Sequence, residues 1–152
     1  MSTDTRHIEL VPVFPDEKHS FLALAEQHFR ELNPTFTPHE DWKLHYFETI
    51  IANPDCFLRW IVVEGSRVGF VLYGLEAHRF LPRKNGMVYE LYIAPDFRRL
   101  GLAREAGYVA VEHMLTMHPS KIQLEVLEGN DKAANLWESL GFRKTSTRYV
   151  LK

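Results

Sequence analysis

RRLGLAR, residues Arg98–Arg104, lies between a strand-like run, MVYELYIAP, and a long stretch with helical spacing. A helix start needs only a cap, yet this junction holds three arginines, a glycine and an alanine. Pro95 just before it has no backbone donor, and the first amides of a helix beginning at Arg98 have no internal partner. Those amides and the helix dipole favour an anion, by roughly 0.3–1 kcal/mol at an exposed end. Gly101 and Ala103 keep side chains out of the way, and Arg98, Arg99 and Arg104 bring forked donors suited to phosphate oxygens. The stretch therefore reads as a diphosphate grip, and the elements on either side follow from it.

Downstream, Leu102, Ala106, Ala110, Met114 and Met117 recur on one face of a helix that runs from Arg98 to His118 and Pro119. IQLEVLE then reads as a strand, NDKAANLWESLGF as a short helix closed by Gly141, and FRKTSTRYVLK as a last strand of alternating character. Upstream, His7–Val13 reads as a first strand. A helix opens at Pro15 and Asp16 with Phe21, Leu24, Ala25, His28, Phe29 and Leu32 on its apolar side, and a second starts near Thr37 and Pro38. FLRWIVVE and VGFVLYGLEAHRF form two strands around a turn at Glu64, Gly65 and Ser66, and LPRKNG is a loop. The order is strand, two helices, three strands, helix, strand, helix, strand. Helices and strands alternate only in the second half, which predicts a mixed α/β sheet with its parallel pairing around RRLGLAR.

Composition limits the function. The 152 residues fit one domain, a size that buries about 68–70% of the extended surface. The net charge of −2, with acids and bases interleaved, excludes a phosphate-tracking face for nucleic acid or an anionic membrane. No run of 18 apolar residues and no signal-like N-terminus is present, and Cys56, the single cysteine, has no internal partner for a disulfide. The expectation is a cytoplasmic protein in which Cys56 is a small buried side chain. There is neither a GxxxxGK[ST] stretch nor a GxGxxG with its distant acid, which removes P-loop kinases and dinucleotide enzymes. No metal is called for.

The second half, taken together, resembles the GNAT superfamily of acyl-CoA-dependent N-acyltransferases over Val88–Phe142. The residues that carry the resemblance are RxxGxA at Arg98, Gly101 and Ala103 after ELYIAPDF, then Asn130, Ala133, Leu136 and Trp137, and LGF at Leu140–Phe142. The resemblance implies a single GNAT-like domain over residues 1–152, with a mostly antiparallel sheet, a splayed parallel strand pair and about four helices on its two faces. It also implies acetyl-CoA in the splay. By position, the backbone of Leu91, Tyr92 and Ile93 pairs with the pantetheine arm, and Arg98, Arg99, Leu100, Gly101, Leu102, Ala103 and Arg104 hold the pyrophosphate. Asn130 contacts the arm, or caps the helix that follows it, or does both; Ala133 and Trp137 lie beside it.

Glu90 is the candidate catalytic base, on the opposite face of its strand from Leu91 and Ile93. Its alternative is an ordinary surface glutamate. Glu76 and His78 either line the same cleft or form a cross-strand polar pair. Where the family pattern LYExLGF has a tyrosine that protonates the departing thiolate, this chain has Trp137, whose indole is no acid near neutral pH. Tyr92, Tyr108 and Tyr149 are the candidates to replace it. The acceptor implied is a small-molecule amine or a peptide or protein amine, held between the first two helices and the C-terminal segment. A homodimer edge is offered by the last strand. The alternative function is a non-catalytic acyl-CoA-binding regulatory module.

Overall fold

The protein was analysed as a computed structural model that describes residues 7–152. The expected single unit over 1–152 begins in residues that lie outside the described range. Five strands form one sheet in the order of the chain: β1 (Ile8–Pro12), β2 (Cys56–Val63), β3 (Ser66–Ala77), β4 (Lys84–Ile93) and β5 (Ile122–Leu124). The first four pair antiparallel, and β4 pairs with β5 in parallel. Helices α1 (Lys18–Leu32) and α2 (Glu40–Ala52) precede β2, while α3 (Leu102–Leu115) and α4 (Asp131–Ser139) flank β5.

Strand alternation builds two cores, one on each face of the sheet. Leu58, Trp60, Phe70, Leu72 and Tyr92 point to the face covered by Phe21 and Ala25 of α1 and Phe47 and Ile50 of α2. Ile61, Val71, Tyr73, Val88 and Ile93 point to the other, where α3 lays down Leu102, Ala106, Ala110 and Met114 and α4 adds Trp137. The face of α3 read from the sequence is the one buried, through Met114. At Gly107, an added Cβ would sit 3.1 Å from the Trp137 ring, so the missing side chain lets α4 approach α3.

Several boundaries differ from expectation, each for a local reason. Pro15–Glu17 is a single 3₁₀ turn, held by the Phe14 amide donating to Glu17 Oε1 at 2.9 Å, and α1 starts only at Lys18. The second helix begins at Glu40, because the residue before Pro38 is pushed out of helical conformation and His39 remains extended at ψ 161°. The third begins at Leu102 rather than Arg98. Arg99 (φ 66°) and Gly101 (φ 76°) are left-handed, so Arg98–Gly101 is a loop that leads into the helix. It also ends earlier, at Leu115. The strand expected over IQLEVLE is paired only at Ile122–Leu124. The expected last strand is absent: Phe142–Lys152 joins no ladder, and Tyr149 and Leu151 are 92% and 99% exposed. Alternation alone cannot make a strand without an edge in register to bond. Among the described residues no helix is long and apolar enough to cross a membrane.

Candidate active site

The site begins where β4 outlasts β5. Their parallel pairing stops at Val88↔Leu124, leaving Glu90–Ile93 with a partner on the β3 side only. The Ala94 amide donates to Val68 O at 2.8 Å. Antiparallel ladder bonds alternate, so Tyr92 faces Phe70 of β3 while the backbone groups of Leu91 and Ile93 face the open edge. A bulge marks the same place: Leu72 opposes Glu90 but Tyr73 opposes Val88, which leaves Tyr89 as the extra residue. Bulge and early end of β5 together open a cleft in the sheet.

One end of the cleft is a hollow of about 680 Å³ lined by Leu91, Tyr92 and Ile93, by Arg98, Arg99 and Gly101–Arg104 of the loop and helix start, and by Asn130, Lys132 and Ala133 of α4's beginning. Gly101 is the N-terminal cap of α3, and the first intrahelical bond is Glu105 N to Gly101 O at 3.2 Å. The amides of Leu102, Ala103 and Arg104 thus precede any intrahelical acceptor. A Cβ on Gly101 would meet nothing within 4 Å, so the approach to those amides is open. The arginine side chains do more local work than the sequence suggested. Arg98 Nε donates to Ile93 O at 2.8 Å, its Nη2 donates to Glu31 at 2.8 Å, and the guanidinium lies 5.3 Å from the Tyr92 ring centre. Arg104 reaches Ser139 Oγ and O, both at 3.3 Å. Leu100 is exposed and lies outside the residues lining this hollow.

Tyr92 and Glu31 share that lock. The Tyr92 hydroxyl donates to Glu31 at 2.6 Å, and burial followed by the Glu31 bond pushes its pKa up to about 12. Arg98's hydrogen bond holds the Glu31 carboxyl below its usual range, against opposing desolvation. Asn130 Oδ1 accepts from Ala133 N at 3.2 Å, so the capping role is present and the side-chain NH₂ remains a free donor type beside the cleft.

The other end, about 440 Å³, is lined by Glu90, His28, Phe29, Phe36, Tyr89, Leu91 and Trp137 among others. Glu90 lies on the α1 side, as alternation predicted, and its Oε2 is 2.5 Å from His28 Nε2. His28 was read from the sequence only as part of α1's apolar stripe. Its partner is 62 residues away, beyond reach of spacing arguments, and the available signal was a polar ring on a face otherwise made of Phe21, Ala25 and Phe29. Glu76 accepts from the Tyr89 hydroxyl at 2.8 Å behind the cleft, and His78 Nδ1 accepts from the Phe80 and Leu81 amides; neither lines the site. Trp137 is buried, edge-on to Phe142 at 5.6 Å. Of the proposed substitutes for the tyrosine, Tyr92 is bound to Glu31, while Tyr108 and Tyr149 are exposed, on α3 and the unpaired C-terminal segment. Cys56 is half-buried, its thiol pushed up by burial and then by the Asp55 and Glu76 carboxylates, so it is a poor thiolate.

Comparison with known proteins gives matches in sequence and in fold. The profile of the acetyltransferase (GNAT) family matches residues 21–142. An acetyltransferase of Pectobacterium atrosepticum is 30% identical over 105 residues, covering 69% of this chain and 70% of that protein. A Bacillus subtilis subsp. natto protein named "probable spermine N(1)-acetyltransferase" is 30% identical over 83 residues, covering 53% of this chain and about half, 55%, of that protein. In fold, an aminoglycoside N-acetyltransferase solved with CoA superposes with a TM-score of 0.75 over 100% of this chain and 98% of that one, at 14% identity.

Proposed function

The chain belongs to the acetyltransferase (GNAT) family, and from that membership we propose that it moves an acetyl group from acetyl-CoA to a primary amine by direct transfer, with Glu90 as general base. The observation that carries the reading is Glu90's position, one residue past the β4 bulge, on the wall of the cleft that opens where β5 ends. When bound, acetyl-CoA supplies a thioester, an activated acyl group with a thiolate as leaving group.

The residues fit such a group. Leu91 and Ile93 offer backbone groups to an extended amide-bearing arm, as a sheet edge does to an added strand. The amides after Gly101, with Arg99, Arg104 and Lys132 around them, suit a diphosphate. Asn130, Ala133 and Trp137 lie along the arm's path on the α4 side.

An amine of ordinary pKa, about 10.4, is neutral about one time in 2,500 at pH 7, so removing its proton is where the protein's help is needed. With Oε2 facing His28, Glu90 has Oε1 left to accept the ammonium proton, which frees the nitrogen lone pair for attack. Trp137 gives no proton; a thiol of pKa about 8.5 departs tolerably as the thiolate, which then takes up the second proton that the nitrogen loses as the amide forms.

Two of the proteins compared above are named for a polyamine and for an aminoglycoside as acceptor. The charges here favour a simpler acceptor. Of the cleft's four glutamates, Glu31 pairs with Arg98 and Glu125 with Arg148, and the charges left on Glu90 and Glu128 are set against Arg99, Arg104 and Lys132 in the same lining, so little net negative charge remains for a polycation. A small monoamine or a peptide N-terminus, with Phe29 and Phe36 against its apolar body, is the acceptor class proposed. A cytoplasmic location belongs to the same reading.

The second reading, a non-catalytic acyl-CoA-binding module, rests on Trp137 in the tyrosine's place. Thioester turnover across a panel of amines separates the two. The enzyme reading expects amine-dependent release of CoA that Glu90→Gln lowers by about 10²–10⁴-fold in kcat/KM. Release that no amine stimulates sinks it.

A further inference from the structure

His28 does more than fill α1's apolar stripe. It is 8% exposed, with its ring centre 5.2 Å from those of Phe29 and Tyr92 and 5.8 Å from that of Phe70. A ring packed on three sides keeps one orientation, and here it delivers Nε2 to Glu90 Oε2 at 2.5 Å. An ionised carboxylate only accepts hydrogen bonds, so chemistry assigns the proton to Nε2 whenever Glu90 is ready to act as a base. We propose that His28 is the positioning residue of the reaction: its Nε2–H holds Glu90 Oε2 so that Oε1 is aimed at the acceptor amine.

The inference rests on the reading of Glu90 as base. The other groups facing the pair do not hold Glu90 in this way. Glu31 of α1 is neutralised by Arg98 and hydrogen-bonded by Tyr92 of β4. Tyr46 of α2 stays protonated, because burial, and after it the Glu90 charge, raise its hydroxyl well above the usual phenol range.

The experiment measures kcat and KM for acetyl transfer in wild type, His28→Gln, His28→Leu and Glu90→Gln, with acetyl-CoA affinity measured in each. The glutamine side chain can donate the same hydrogen bond. His28→Gln should keep at least about ten times the kcat of His28→Leu, which loses roughly 10–100-fold, as supporting residues of reactive groups do. The KM for acetyl-CoA should stay within about twofold of wild type in both. Equal kcat in His28→Gln and His28→Leu, with Glu90→Gln inactive, overturns the inference and leaves the base reading standing. An active Glu90→Gln overturns both. Should either His28 variant fail to fold, ring-nitrogen NMR of His28 in the folded wild type decides: Nε2 should carry the proton, and an Nε2 without one overturns the inference.

Discussion

Glu90 and Gly101 mark the two ends of the cleft, and both were legible as single residues. Alternation along β4 placed Glu90, and the need for an open approach placed Gly101. Gly101 yields a prediction in which two effects separate. Its φ of 76° strains any other residue by about 1–2 kcal/mol, while its surroundings have room for a side chain. Gly101→Ala and Gly101→Glu should therefore lower Tm by similar amounts. Only the glutamate, a carboxylate in the diphosphate's place, should weaken acetyl-CoA binding by about 100-fold or more in calorimetry. His28, the Glu31–Arg98–Tyr92 lock and the turning of Arg98 back onto Ile93 O were not legible, because each joins residues far apart in the chain through a geometry that only the sheet creates.

At the scale of elements, helices and central strands followed the apolar period closely, whereas ends and edges did not. Backbone conformation, not periodicity, set the start of α3: Arg99 and Gly101 are left-handed, and Leu102 is the first residue that can be helical. β5 is short and Phe142–Lys152 unpaired, since pairing depends on a neighbour's register that sequence alternation does not contain. The contact between β3 and α3 has its own signature in pH. Tyr73, fully buried, has its hydroxyl 2.7 Å from His113 Nδ1, and burial, with Arg59 adding to it, holds the imidazole below its usual range. The folded state thus binds the proton less readily than the unfolded chain, so stability is intact above pH 6.5 and declines as pH falls through that value. His113→Gln keeps a partner for Tyr73 without titrating. Between pH 7 and 5.5 it should lose less Tm than the wild type; an equal loss places the sensitivity elsewhere.

For the whole molecule, the cleft is a by-product of the two-core plan. α1 and α2 cover one face and bring His28 and Phe29 to the opening; α3 and α4 cover the other and bring the amide turn and Asn130. The opening lies where one strand of the sheet stops short. The α/β class, the parallel pair beside RRLGLAR and the general form of the site were readable from residue order, because the Arg98–Arg104 turn and the Asn130–Trp137 helix are local motifs. The chemistry proposed stands on that cleft accepting a diphosphate with an extended arm. Calorimetric titration of acetyl-CoA into the purified protein, beside AMP, tests this most directly. The account predicts acetyl-CoA binding on the order of micromolar, within the usual range for enzyme substrates, with AMP weaker by about 100-fold or more. Equal binding of the two, or none of acetyl-CoA, would contradict it.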